Sequence, residues 1–234
     1  MSGSEGVVLI DKPAGITSMD VIRQLRRRLG VRKMGHAGTL DPLATGLMVV
    51  GIGSGTKRLT SLVKLDKEYS AEIRIGEARS TGDLEGEVVA SREATNLPQT
   101  VVTAALTGLV GTHELPVSAY SAIKVGGVPM YKRARAAAAR GATVEHVPRR
   151  AMTIYDAELL DYTLADERAV ATVRFVVGSG TYIRSLAEAL GEQLGYPATL
   201  QALRRTKVGE YCIADAVPLA EATPATLRFV DTTT

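Results

Sequence analysis

The chain has 234 residues, 45% hydrophobic and 23% charged, with a formal net charge of +3, an ordinary balance for a soluble globular protein of one large or two small domains. Its one cysteine, Cys212, excludes an intrachain disulfide and a cysteine-built metal cluster, and three separated histidines (His36, His113, His146) argue against zinc. No apolar run is long enough to cross a membrane as a helix.

Met1-Ser2-Gly3-Ser4-Glu5 carries neither the basic stretch nor the apolar core of a signal peptide, so a cytoplasmic location is expected. Val7-Val8-Leu9-Ile10 reads as a short buried strand and Asp11–Gly15 as a turn. Thr17 or Ser18 caps a helix in which Val21, Ile22, Leu25 and Leu29 recur at helical spacing. Arg23, Arg26 and Arg27 lie on its other side, and Gly30 ends it. Then comes Gly35-His36-Ala37-Gly38-Thr39-Leu40-Asp41-Pro42-Leu43-Ala44-Thr45-Gly46, ahead of an apolar strand at 47–52. Three glycines and a proline in twelve residues make a loop that lets backbone approach something closely. Asp41 is its single carboxylate, held extended by the proline that follows. On spacing alone it can be a nucleophile, a base or simply a turn residue.

Residues 56–65 read as a short helix. In residues 67–75 Tyr69, Ala71, Ile73 and Ile75 share one face and Ser70, Glu72 and Arg74 the other, the mark of a half-buried antiparallel strand. Ser80–Gly86 is a turn leading into Glu87-Val88-Val89-Ala90, and Thr100–Val110 a helix stopped by Gly111. Residues 116–150 leave compact patterning: Pro116, Gly126-Gly127 and Pro129 break the chain, and 131–140 look helical. Residues 152–162 and 168–177 read as strands around a hairpin at Ala165-Asp166. Thr181 is the expected cap of a helix with Ile183, Leu186, Ala187, Leu190 and Leu194 on its apolar face. Residues 200–205 read as a short helix and 206–213 as a closing strand.

The modest net charge is unevenly placed. Residues 21–36 hold Arg23, Arg26, Arg27, Arg28, Arg32 and Lys33 without an acid, and residues 121–150 hold Lys124, Lys132, Arg133, Arg135, Arg140, Arg149 and Arg150 against Glu145 alone. Two such clusters suit a polyanion partner, because basic patches bind phosphate and release counterions. Either alone is equally the solvated face of a helix.

The stretch from Gly35 to Gly46 resembles the signature loop of the TruB branch of pseudouridine synthases. Further stretches resemble that family: Asp11-Lys12-Pro13-Ala14-Gly15, Gly82-Asp83-Leu84-Glu85-Gly86, Ser121-Ala122-x-Lys124 with Tyr131 and Ala134-Arg135, Gly180-Thr181-Tyr182-Ile183-Arg184, and Leu203-Arg204-Arg205-Thr206. The resemblance runs from Asp11 to Tyr211. It departs at Pro116-Val117-Ser118, where many members carry Pro-Pro-x-Tyr, and at Ser179, where many carry lysine.

What the resemblance implies is an α+β pseudouridine synthase fold: a mixed, largely antiparallel sheet flanked by helices. Residues 1–214 would be the catalytic domain, with a thumb-like segment at about 116–150 that lies against RNA in relatives. Residues 215–234 would be a short tail, too short for the PUA domain that many members add. The implied activity is conversion of uridine to pseudouridine in the T-loop of tRNA, position 55, with the base flipped out of folded RNA.

By resemblance Asp41 is the reacting carboxylate, either attacking ribose or ring covalently or abstracting a sugar proton to give a glycal. Arg184 corresponds to the arginine that pairs with it and keeps it ionised. Tyr69 corresponds to the active-site tyrosine, and Tyr182 lines the same pocket or packs beside it. His36 occupies the space vacated by the target base, and Lys12 holds the loop from behind. Lys124, Arg135, Arg140 and Leu203 fall in the RNA-binding and pocket motifs. No metal or redox cofactor is needed, since the base is turned and rejoined rather than oxidised. The expected partner is the T-arm stem-loop of tRNA, with no membrane, no obligate protein partner and a monomeric state.

Two rivals bear on these residues. An RNA-binding or RNA-folding protein would share the basic clusters but has no need of Asp41, Tyr69 and Arg184 together. A carboxylate-pair glycosidase would need a second acid in a comparable loop, and none stands out.

Overall fold

The computed structural model describes residues 5–121, 123–142, 144, 146–165 and 167–230; Met1–Ser4, Ala122, Glu145, Asp166 and the last four residues, on which expectations above fall, lie outside the described residues. In chain order the elements are β1 (Gly6–Lys12), α1 (Ser18–Leu29), β2 (Met34–His36), β3 (Thr45–Ile52), a 3-10 turn (Gly53–Arg58), α2 (Leu59–Leu62), β4 (Lys67–Ile75), β5 (Glu77–Arg79) and β6 (Val88–Ser91). Then follow α3 (Gln99–Gly108), β7 (Gly111–Pro116), β8 (Lys124–Val125), β9 (Val128–Pro129), α4 (Met130–Ala138), β10 (Arg149–Ala165), β11 (Arg168–Val177) and α5 (Ile183–Leu194). β12 (Ala198–Val208), β13 (Tyr211–Cys212), β14 (Val217–Pro218) and β15 (Phe229–Val230) close the chain. The architecture is α+β, with five α-helices among the described residues and a mixed, mostly antiparallel sheet.

The chain divides into two compact units: Met1–Ser70 with Phe175–Ser179 and Ala202–Thr234, and Ala71–Arg174 with Gly180–Gln201. The first unit carries the strand order β14-β1-β3-β12-β4. β1 and β3 are antiparallel, with Val8 opposite Val50 and Ile10 opposite Met48. β12 runs parallel to β3, setting Arg204 beside Thr45 and Arg205 beside Gly46. Val7, Leu9, Ala37, Leu47, Val49, Leu62 and Val208 make its core. Val21, Ile22 and Leu25 of α1 are fully buried, each worth roughly 1.5–3 kcal/mol against exposure. Thr17, not Ser18, caps α1 through a reciprocal capping box with Asp20, and Gly30 terminates it at φ 68°. The C-terminal segment pairs with β1: Val217 beside Ile10, and Phe229 and Val230 opposite Val8 and Val7. That pairing satisfies an edge that would otherwise be open.

The second unit carries the order β4-β11-β10-β7, with α3 against β10 and α5. β7 and β10 are antiparallel, Leu115 opposite Arg150 and His113 opposite Met152. β5 and β6 form a bulged hairpin, and β8 and β9 a second one turned by Gly126 and Gly127 at φ 58° and 79°. Glu77 is buried and ion-paired by Arg79 and Arg168.

Two sequence expectations need correction. Residues 200–205 are not a helix; they lie within β12. Their place in the sheet between β3 and β4 outweighs the local helical preference. Nor does Thr181 cap α5. Tyr182 occupies the N-cap position without a side-chain hydrogen bond, and Thr181 Oγ1 is buried without a hydrogen-bond partner among the described residues. Residues 56–65 are helical only in part, as the 3-10 turn and α2. The closing strand is a hairpin of β12 and β13.

Candidate active site

In the first unit β2 and β3 are antiparallel, with His36 opposite Val50, so the stretch carrying Asp41 is their connection. Ala44 N donates to Asp41 O at 3.1 Å, closing a turn Asp41-Pro42-Leu43-Ala44 with proline at its second position. Asp41 is half-buried.

The backbone of this loop is tied down along its length. Ser18 Oγ and the Leu40 backbone bond each other, at 2.8 Å from Leu40 N and 3.0 Å to Leu40 O. Pro42 O accepts from Gly15 N at 2.8 Å and from Lys12 Nζ at 3.3 Å. The same ammonium donates to Ala44 O at 2.6 Å and to Pro13 O at 3.0 Å. Lys12 is fully buried, and these carbonyl dipoles face its ammonium in a site of low dielectric. Gly46 is where the loop passes closest to β12: a Cβ there would stand 2.3 Å from the carbonyl oxygen of Arg205, and φ is 102°.

His36 is half-buried and its Nδ1 is buried without a hydrogen-bond partner among the described residues. Burial lowers its pKa below the ordinary value and nearby Arg205 adds to this, against an opposing hydrogen bond at the Gly38 backbone. The ring is therefore neutral at pH 7. Leu203 is half-buried beside the loop's end, where its carbonyl accepts from Thr45 Oγ1 at 3.4 Å. The structure thus gathers Lys12, His36, Asp41 and Leu203 around one loop. Tyr69, 8% exposed, lies in the same unit on the inward face of β4.

Lys67, two residues before Tyr69 on that face, has no role in the sequence reading. It is buried and donates to Val63 O and Leu65 O, both at 2.6 Å, and to Ser179 Oγ at 3.3 Å. Burial, with help from Arg205 and against Asp66, lowers its pKa to about 8. The signal was present: by the alternation of β4, Lys67 shares parity with Tyr69, Ala71 and Ile73.

In the second unit Arg184, 5% exposed, stands at the start of α5. Its Nη1 donates to Thr81 O at 2.9 Å and Ser118 Oγ at 2.6 Å, its Nη2 to Tyr120 O at 3.2 Å, and its Nε lies 3.7 Å from Asp83 Oδ2. Ser185 Oγ also donates to Pro116 O at 2.7 Å. Residues 116–120, where the motif departs from the family pattern, are therefore fixed by α5. Asp83 and Ser118 enter the sequence reading only within motif stretches, and Asp83, Ser118 and Tyr120 were given no role there. Tyr182, at the N-cap, is half-buried.

Residues 116–150, the segment expected to be thumb-like, hold β8, β9 and α4. Arg133 Nη2 donates to Val125 O at 2.7 Å, and the Arg135 guanidinium lies 5.7 Å from the centre of the Tyr131 ring. Lys124, Arg135 and Arg140 are exposed. Among the described residues no group of three or more His, Cys, Asp or Glu is placed to hold a metal ion, and no helix is long and apolar enough to cross a membrane.

Residues 26–183 match the model of the TruB family pseudouridylate synthase N-terminal domain. The chain belongs to that family. It is similar to tRNA pseudouridine synthase B of Corynebacterium efficiens, 45% identical over 218 residues that cover 93% of this chain and 72% of that protein. Similarity to the protein of the same name from Leifsonia xyli subsp. xyli is 46% over 228 residues, covering 96% and 74%. Among solved structures, this TruB-family chain is similar to one in an H/ACA RNP bound to a substrate RNA containing 2'-deoxyuridine, with TM-score 0.66 and 24% identity, covering 92% of this chain. A chain of the archaeal box H/ACA sRNP Nop10-Cbf5 complex matches with TM-score 0.64 and 24% identity. The TruB-family chain spans about half the length of these two, 51% and 53%. At such identity they speak for the fold, which is that of a pseudouridine synthase.

Proposed function

We infer that this protein isomerises uridine to pseudouridine in tRNA, and that its target is the T-loop uridine at position 55. The observation that carries the reading is a half-buried carboxylate, Asp41, on a loop whose carbonyls are hydrogen-bonded by Ser18, Lys12 and Arg205, in a chain of the TruB family. The reaction breaks the bond from C1′ to N1 of the base and forms one from C1′ to C5. The proton on C5 leaves, and N1 gains one.

Asp41 supplies the one carboxylate that both chemical routes require, covalent attack or removal of a sugar proton. Tyr69 stacks on the extruded base and joins the final proton transfer. Arg184 keeps the carboxylate ionised as the base leaves water. Tyr182 and Leu203 line the pocket. Neutral His36 fills the place of the flipped nucleotide. Lys124, Arg135 and Arg140 take phosphates of the T-arm. The enzyme works as a cytoplasmic monomer on residues 1–214, without a protein partner or cofactor.

Incubation with an unmodified tRNA transcript, followed by mapping of pseudouridine, tests the reading. Pseudouridine at position 55 of the transcript, and in an isolated T-arm hairpin, is the expected result. No pseudouridine, or pseudouridine elsewhere only, would overturn it.

A further inference from the structure

Among the described residues Arg205 is the largest fully buried side chain, 1% exposed, on the strand that lies beside the Asp41 loop. Its guanidinium donates to backbone carbonyls: Nε to Leu47 O at 2.7 Å and Nη2 to Gly38 O at 3.2 Å. These two carbonyls flank the turn that contains Asp41. At Gly38 the fit is close, since a Cβ there would stand 3.3 Å from Nη1. At Gly46 it is closer still, as the backbone of Arg205 leaves no room for a side chain. One residue thus grips the loop before and after Asp41, while Lys12 holds Pro42 and Ala44 between.

A core residue chosen for stability would not be a guanidinium. Burying a charge is costly unless it is paired and hydrogen-bonded, and an apolar side chain of similar volume usually serves packing as well or better. What a guanidinium adds is a planar fork with donors at fixed angles, able to set the separation of two acceptors. Both acceptors here belong to the two ends of one loop. His36 and Lys67 feel the same charge, so the guanidinium faces the cluster that surrounds that loop.

We propose that Arg205 is a positioning residue for pseudouridine formation, its fork fixing the span from Gly38 to Leu47 and thereby the place of Asp41. The proposal rests on the reading of Asp41 as the reacting carboxylate. Arg205 touches neither substrate nor reacting atoms in this account; it acts through the loop.

The test compares the parent chain with Arg205→Lys and Arg205→Met on unmodified tRNA, with kcat, KM, tRNA affinity and thermal midpoint measured for each. Arg205→Lys keeps the charge and the stem but loses the fork. It is expected to fold and to bind tRNA like the parent, with unchanged KM. Its kcat should fall about a hundredfold, the scale of a displacement of about one ångström at a reacting group. Arg205→Met is expected to show the same split, and where it does not fold the lysine variant carries the test. Arg205→Lys with the parent's kcat would overturn the proposal, as would equal losses in affinity and kcat. An Arg205→Lys protein that does not fold would also overturn it, because the residue would then serve the core rather than the loop. A parent that makes no pseudouridine would instead sink the functional reading itself.

Discussion

Lys12 Nζ donates a 2.6 Å hydrogen bond to the carbonyl of Ala44, joining the end of β1 to the far side of the turn that begins at Asp41. The ammonium is fully buried and also bonds Pro42 O, so two of the four turn carbonyls depend on it. A lysine in such a place fixes the backbone of the turn.

Lys12→Met keeps the apolar stem and removes the donors. Leaving a buried acceptor unsatisfied costs about 1–3 kcal/mol, so denaturant unfolding should show a loss of that order. Pseudouridine formation should fall by a larger factor than tRNA affinity. Parent-like stability and rate together would mean that the loop holds its shape unaided.

Arg184→Lys tests the guanidinium at the start of α5. Thr81 O, Ser118 Oγ and Tyr120 O receive its donors at angles that an ammonium cannot reproduce. The variant is expected to fold and bind tRNA, yet to lose most of its turnover at pH 7. If loss of ionisation at Asp41 is the cause, turnover should recover as pH rises. Parent-like turnover at pH 7 would contradict the role given to Arg184.

Much of this arrangement was legible in the sequence. The strand at 168–177 was read at the bounds it has, and the alternation of 67–75 marked which side faces inward. Thr17 and Gly30 bracket α1 by local chemistry that needs no tertiary context. Residues 200–205 read as helix because leucine, glutamine, alanine and arginine are good helix formers, and pairing with strands distant in sequence, β3 and β4, makes them extended. Asp41 is a candidate through its motif. The residues that hold its loop are harder to find, because outside a clean alternation such as that of β4 the burial of a lysine or an arginine leaves no local signature. Lys12 draws attention only as part of Asp-Lys-Pro-x-Gly, and Arg205 within Leu-Arg-Arg-Thr looks no different from its half-buried neighbour Arg204, which pairs with Asp11 at 2.7 Å.

Lys67 should write its environment into the pH dependence of stability. Its folded pKa is lowered to about 8 from the ordinary 10.5, chiefly by burial. Between those values the unfolded chain binds more protons than the folded one, so this residue makes stability rise with pH across that window. Below about 8 both states hold the proton and the contribution is flat. Unfolding free energies from pH 7 to 10.5 for the parent and Lys67→Met should therefore differ in slope, the parent gaining relative to the variant above pH 8. Parallel curves would mean that the ammonium is not depressed.

Arg135 and Arg140 are exposed on and just beyond α4. Each phosphate contact adds roughly 0.7–0.9 to the slope of log affinity against log salt, so Arg135→Ala with Arg140→Ala should flatten that slope by about 1.4–1.8. Filter binding of a T-arm hairpin across a salt series measures it. An unchanged slope would remove the thumb-like segment from the RNA contact.

Asp41→Asn bears most directly on the central claim. Asparagine keeps the shape of the side chain and loses the charge that either chemical route requires. Single-turnover formation of pseudouridine at position 55 of unmodified tRNA should be abolished, while tRNA affinity and thermal midpoint stay close to those of the parent. An Asp41→Asn protein that still forms pseudouridine within about tenfold of the parent rate, a difference of only about 1.4 kcal/mol in the barrier, would contradict the account.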